Sequence, residues 1–305
     1  MANYRHRAYG QLLLVVIIWG ISAPVIKFTL SGIDPFAFLA YRFAISAVIA
    51  AFYLAIKGVK VPKKKHNLLL VIIYGILAFS IALSLLFVGI DESTVLDVTL
   101  LGLAGPLVVT AGGVLFFRDR ITHREKIGIT IALFGALINS LSPLLREGDD
   151  IHLTGNLFII GFLIADSGAV LLSKKLDRNN VPAETTTMIG FIVAALTLIP
   201  FAFIIKSPSF IVQEIMTLPL KYHLGVWFMA IFSGLIAYFL AIKATKSIEV
   251  SEAWLFMYLQ PIFTIPLAIL WLGETITVSF AFGAAIIALG VFLAERKPRK
   301  VPASN

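Results

Sequence analysis

Five charged side chains interrupt long apolar runs: Lys27, Arg42, Asp97, Asp166 and Glu252. A charge at mid-bilayer costs about 2.5–3.5 kcal/mol on insertion scales, so such residues face a bundle interior, pair with one another or line a polar pathway. Asp166, in "FLIADSGAV", has apolar neighbours for a turn on each side. That setting suits a proton site or a counter-ion for a cationic solute group. Arg42 is two turns into its run, where a structural partner such as Asp97 or a helix-end carbonyl stands beside a substrate contact as its role. Lys27 is one turn from a run's end, and its alternative is to snorkel to headgroups.

Aromatic groups with a polar handle accompany these charges. A buried indole N–H or phenol needs a partner, and Trp19, Tyr238 and Tyr258 are the pathway liners preferred on that ground, with plain packing as the alternative. Pro24, Pro106 and Pro261 interrupt helical runs, each removing a donor and bending its helix where neighbours or water can satisfy the freed carbonyl. Other chemistry lacks its residues. There is no HExxH, no phosphate-cradling glycine loop and no nucleophile beside a base. With no cysteine and with all five histidines at run ends or in loops, neither a metal nor another cofactor is expected, and the chain reads as a non-enzyme.

The elements that hold these residues follow from composition. The 305-residue chain is 59% hydrophobic and 14% charged, with a mean hydropathy of +0.95, too apolar for an ordinary soluble domain. About 20 apolar residues span a bilayer as a helix. The runs predict an all-α integral membrane protein with ten transmembrane helices near 9–30, 35–56, 67–90, 94–117, 124–145, 153–173, 185–205, 222–242, 250–272 and 276–294. If the N-terminus is cytoplasmic, twenty of the 25 Lys and Arg residues fall in inside segments and only Arg146, Lys206 and Lys221 outside. This asymmetry predicts a multi-pass protein of the cell membrane with both termini cytoplasmic. The net charge of +8 is then a topology signal, with "VPKKKH" facing lipid headgroups and no nucleic-acid partner expected.

The chain also repeats itself. Pro106 and Pro261, Asp119 and Glu274, Thr122 and Thr277, Gly128 and Gly283, and Gly135 and Gly290 share one offset of 155 without a gap, and so do Asp97 and Glu252. Pro35 pairs with Pro182 at an offset of 147, the difference falling in the longer connector Lys206 to Lys221. Residues 9–145 and 152–295 therefore read as two five-helix repeats, which an odd helix count places in inverted topology. Asp97 and Glu252 then sit near opposite faces as gate-level carboxylates. Small residues at four-residue spacing on the fifth run (Gly128, Ala132, Ala136, Ser140), with Gly283 and Gly290 on the tenth, mark these two as packing helices. In "FRDRIT" and "LGETIT" the acid and threonine are expected to shape tight turns, with Thr122 and Glu125 forming a capping box and Thr277 a simple cap.

The motifs "VIIWGISAPVIK", "DPFAFLAYRF", the mid-run prolines Pro106 and Pro261, and "LGETIT" with its copy "FRDRIT" together resemble the drug/metabolite transporter superfamily, in its ten-helix branch of paired EamA-type domains. The likeness extends over residues 9–295. The second unit departs from it, with "LIADSGAV" and "TTMIGF" where the first has Trp-Gly and Arg-Phe. The resemblance implies a permease that exports an amino acid or another metabolite, with the fifth and tenth helices remote from substrate. The expected function is secondary active transport of a small organic solute by alternating access, coupled to an ion gradient, with protons as the candidate ion and a monomer or homodimer as the working unit. A facilitative carrier, a drug or amine exporter and a membrane enzyme are the alternatives.

Overall fold

The computed structural model of the protein describes residues 2–57, 61–117, 121–141, 150–245 and 256–295, and these contain helices and no strand. In lipid a segment must satisfy its own backbone N–H and C=O groups, which long Leu-, Ile-, Val- and Ala-rich runs do as helices. In chain order α1 is Ala2–Leu30 and α2 Pro35–Lys57, followed by α3 Lys65–Glu92 and α4 Val95–Phe116. Next come α5 His123–Leu141, α6 Asp150–Arg178, α7 Ala183–Ile205 and the short α8 Pro208–Thr217. The chain continues with α9 Leu220–Ala244 and α10 Phe256–Leu270, and α11 Val278–Glu295. Seven of these, α1 to α4, α6, α7 and α9, are long and apolar enough to cross a membrane, and α10 and α11 are shorter apolar helices. The 19-residue α5 opens on His123, Arg124, Glu125 and Lys126.

Three departures from plain helices bear on function. The connector between α7 and α9 folds as α8, whose start is written in Ser-Pro: the Ser207 side chain accepts from the Phe210 amide at 3.3 Å and Pro208 fills the first turn. Prolines restart two helices. After a turn at Leu103 and Ala104, Pro106 is the second residue of the segment Gly105–Phe117. After the 3₁₀ turn Phe256–Leu259, Pro261 is the second residue of Gln260–Leu270. Finally, α3 and α9 each widen into π-helix, at Ile76–Ile81 and Phe228–Ile236, and both segments contain Phe-Ser. Such widening is uncommon and recurs at functional sites.

The helices pack as α1 on α9 and α10, α2 on α7, α3 on α6 and α7, α4 on α6 and α10, and α5 on α11. With lipid as apolar as leucine, close packing and interhelical hydrogen bonds drive these contacts. At the α5–α11 crossing the backbones touch: a Cβ on Gly128 would strike the Ala294 amide and the Gly290 carbonyl, and one on Gly290 would strike the Ala132 amide and the Gly128 carbonyl. The bundle's middle is aromatic, with Phe38, Phe43, Phe79, Phe87 and Phe191 fully buried.

Two polar corners close the end of the bundle where α1 finishes. The Lys27 ammonium donates to the carbonyls of Ile90, Asp91 and Ser93 at the end of α3, and the Glu274 carboxylate accepts from the amides of Val95 and Leu96 at the start of α4. Nearby, Asp34 caps α2 through Phe36, pairs with Lys206 at 3.3 Å and donates its amide to Glu214 of α8. The opposite end holds Asn179 donating to Asn67 at 3.0 Å.

Candidate functional site

The first part of the site is built by a proline. Pro24 has no N–H to give the Gly20 carbonyl four residues back, so α1 contains one free acceptor. The buried Thr264 hydroxyl of α10 supplies the missing bond at 2.7 Å. Beside it, the Trp19 indole donates to the Ser233 carbonyl at 3.1 Å, and the Ser22 hydroxyl donates to the Ser233 hydroxyl at 3.0 Å. Both acceptors belong to the π-helical segment of α9. The "WGISAP" stretch thus ties α1 to α9 and α10 at three points.

Around the Trp19 ring the bundle assembles an aromatic cluster. Trp19 meets Tyr238 edge-on with centroids 5.4 Å apart, and Tyr238 meets Phe79 and Phe191 at 5.9 and 6.0 Å. Phe43 touches Phe79 and Phe191 at 6.0 Å each. Phe79 and Ser80 belong to the π-helical segment of α3, and Ser80 is bonded to Thr197 of α7 at 2.6 Å.

Into this cluster α2 projects Arg42, 4% exposed. Its guanidinium lies over the Phe43 and Phe87 rings at 5.2 and 5.7 Å. Its Nε and Nη1 have no hydrogen-bond partner, and among the described residues no carboxylate pairs with it. One turn on, the buried Ser46 hydroxyl is also unpartnered. The Tyr238 phenol lies in the fields of both Arg42 and Asp166. Tyr74 of α3 also lies in the field of Asp166.

Lys27 and Asp97 are engaged away from this cluster. Lys27 is occupied in holding the end of α3, 2.8–2.9 Å from three carbonyls. Asp97 accepts from Asn139 of α5 at 2.9 Å and from Thr94 at 3.0 Å, in the first turn of α4. Tyr258 lies in the 3₁₀ turn before Pro261. Glu252 lies outside the described residues, as does Asp119. Thr122 and Glu125 form the capping box, each accepting from the other's amide, and Thr277 caps α11 through Phe280. Glu274 does not shape its own turn; Gly273 does so with φ +71°, while the glutamate reaches across to α4. Among the residues sequence reasoning missed are Ser233 and Gly234, whose signal lies in the π-helical winding of α9 and is silent in hydropathy. No group of three or more His, Asp or Glu side chains that would hold a metal occurs among the described residues.

The chain matches the EamA-like transporter family over residues 6–141 and 153–295. It is 25% identical over 298 residues to an uncharacterized transporter, YyaM, of Bacillus subtilis (strain 168), covering 94% of this chain and 93% of that one. A probable amino-acid metabolite efflux pump of Salmonella typhimurium (strain LT2) is 24% identical over 285 residues, covering 92% of each. A solved structure described only as "Crystal structure of protein" superposes with a TM-score of 0.62 at 17% identity over 97% of both chains, a likeness of fold.

Proposed function

The chain belongs to the EamA-like transporter family, and from that premise we propose that it is a secondary active transporter moving a small organic metabolite across the cell membrane by alternating access. Residues 9–145 and 152–295 act as two five-helix units of opposite orientation, ten spans in all, with both termini cytoplasmic and lipid on every side. Support comes from contacts that fall in exchanged pairs. The packing of α1 on α9 and α10 has its counterpart in α6 on α3 and α4, while α2·α7, α4·α10 and α5·α11 pair equivalent helices. The matched restarts at Pro106 and Pro261 and the matched π-helical segments agree with this arrangement, and breaks in corresponding helices of two halves point to the transport pathway.

The observation that carries the reading is Arg42, buried in α2 with two unpartnered nitrogens and lying over Phe43 of the aromatic cluster. Charges buried in lipid-spanning helices mark solute or ion routes. Asp166 takes a cationic group of the solute or the coupling proton, and Trp19, Tyr238 and Tyr258 line the route. The gate-level pair Asp97 and Glu252 alternates in exposure as the two faces close. The efflux-pump names of relatives in Salmonella and Escherichia coli direct the choice of solute to amino-acid metabolites exported down an ion gradient. Purified protein in liposomes tests this. Saturable uptake accelerated by unlabelled solute on the opposite side is the expected result, and chemical conversion of the solute, or flux proportional to concentration without limit, contradicts it.

A further inference from the structure

We propose that Arg42 and Ser46, facing Gly234 in the π-helical segment of α9, form an oxyanion subsite that takes the carboxylate of the transported solute. The proposal rests on the transport reading and narrows it. A guanidinium removed from water needs hydrogen bonds on its edges as well as a compensating charge. Arg42 is 4% exposed, has two nitrogens without partners, and lies against aromatic rings that satisfy its faces but not its edges. The arginine fork matches a carboxylate better than any other common anion-binding side chain. Ser46 is on the same face one turn later, with its hydroxyl unused. A second donor is therefore in place beside the first.

Gly234 completes the arrangement. A Cβ there would lie 3.8 Å from the Ser46 hydroxyl and 3.9 Å from Arg42 Nη2, so any longer side chain would fill the space in front of both donors. One turn along α9, Tyr238 lies in the fields of both Arg42 and Asp166. A solute with a carboxylate at Arg42 and a cationic group towards Asp166 satisfies both ends. An amine lacking an oxyanion leaves the arginine unpaired, so amine export does not fit this subsite.

The test uses detergent-purified full chain and vesicles containing it, with two probes: a mixture of the twenty common amino acids, and the same amino acids as carboxamides, at matched millimolar concentration. The acids are expected to raise the Tm and the amides are not, because a ligand bound to the folded state stabilises it. Arg42→Met is expected to weaken the acid response at least about thirtyfold while leaving the empty protein as stable as the parent or more so, since it removes an unpaired buried charge. Ser46→Ala is expected to leave the empty protein's Tm unchanged and to weaken the response about tenfold. The subsite is overturned if the amides stabilise as well as the acids, if neither mixture shifts the Tm, or if empty Arg42→Met melts below the parent. Failure of the transport reading looks different: the acids shift the Tm through Arg42, yet vesicles exchange none of them.

Discussion

Lys27 and Glu274 hold the two halves of one corner without pairing with each other. The ammonium collects the last carbonyls of α3, at Ile90, Asp91 and Ser93, and the carboxylate collects the first amides of α4, at Val95 and Leu96. Each charge sits at the helix pole of opposite sign, as the peptide dipoles require. The glutamate comes from the turn between α10 and α11, so the corner also fastens the end of the chain to its first half.

Lys27→Met is expected to lower the thermal stability of the detergent-purified protein by about 1–2 kcal/mol, the range for a partly buried cation at a helix C-terminus. Its transport KM should stay within about twofold of the parent, because the ammonium is fully used by the backbone, an occupancy that leaves nothing for solute. Thermal unfolding and initial-rate uptake measure the two quantities. A large rise in KM with unchanged stability would place Lys27 on the route instead.

Glu274 makes a pH-dependent contribution. Burial pushes its carboxyl above the ordinary value of 4.5, outweighing the Val95 and Leu96 amides and Lys27, which pull it down, while Asp97 pushes it up. The folded protein therefore holds this proton to higher pH than the unfolded chain does. The contribution is full below about 4.5 and is lost as pH rises through the raised value. Glu274→Gln should flatten that part of a Tm-against-pH curve, and Glu274→Ala should cost about 0.5–2 kcal/mol at neutral pH by leaving both amides uncapped.

Thr264→Val removes the hydroxyl that satisfies the Gly20 carbonyl and is expected to cost about 1–3 kcal/mol, the penalty for an orphaned buried acceptor. Adding Pro24→Ala restores an N–H to that carbonyl within α1, so the double variant should recover most of the loss. A thermodynamic cycle over the four proteins checks it. Additive costs would mean that the kink and the threonine are unrelated.

Gly128→Val should abolish recovery of folded protein, since even a Cβ collides with the backbone of α11. Leu133→Ala, on the exposed face of the same helix, should be tolerated. Monodispersity in size-exclusion chromatography distinguishes the two outcomes.

Much of this architecture is legible in the sequence because lipid imposes simple rules: long apolar runs become helices, small residues mark tight crossings, and proline marks breaks. Gly128 and Gly290 could be read as packing positions without coordinates for that reason. Trp19, Arg42, Asp166 and Tyr238 could be named as polar groups within apolar runs, but not grouped, since they come from α1, α2, α6 and α9 and only packing decides which faces meet. Lys27 and Asp97 had the same intramembrane signal as Arg42, yet the first holds α3 and the second joins Thr94 and Asn139. Hydropathy reports depth along a helix and says nothing of what lies opposite. Glu274 shows the complementary limit, because a side chain beside a turn glycine looks local and here is not.

The glycine contact between α5 and α11 also has a meaning for biosynthesis. Gly128 leaves the ribosome roughly 160 residues before Gly290, an interval on the order of ten to thirty seconds at about 5–20 residues per second. During that interval the notched face of α5 has only lipid, or another nascent helix, to lie against. A helix made long after α5 is therefore the one that covers its notched face, and a chain cut short before Val278 would be left with an open seam for quality control to find.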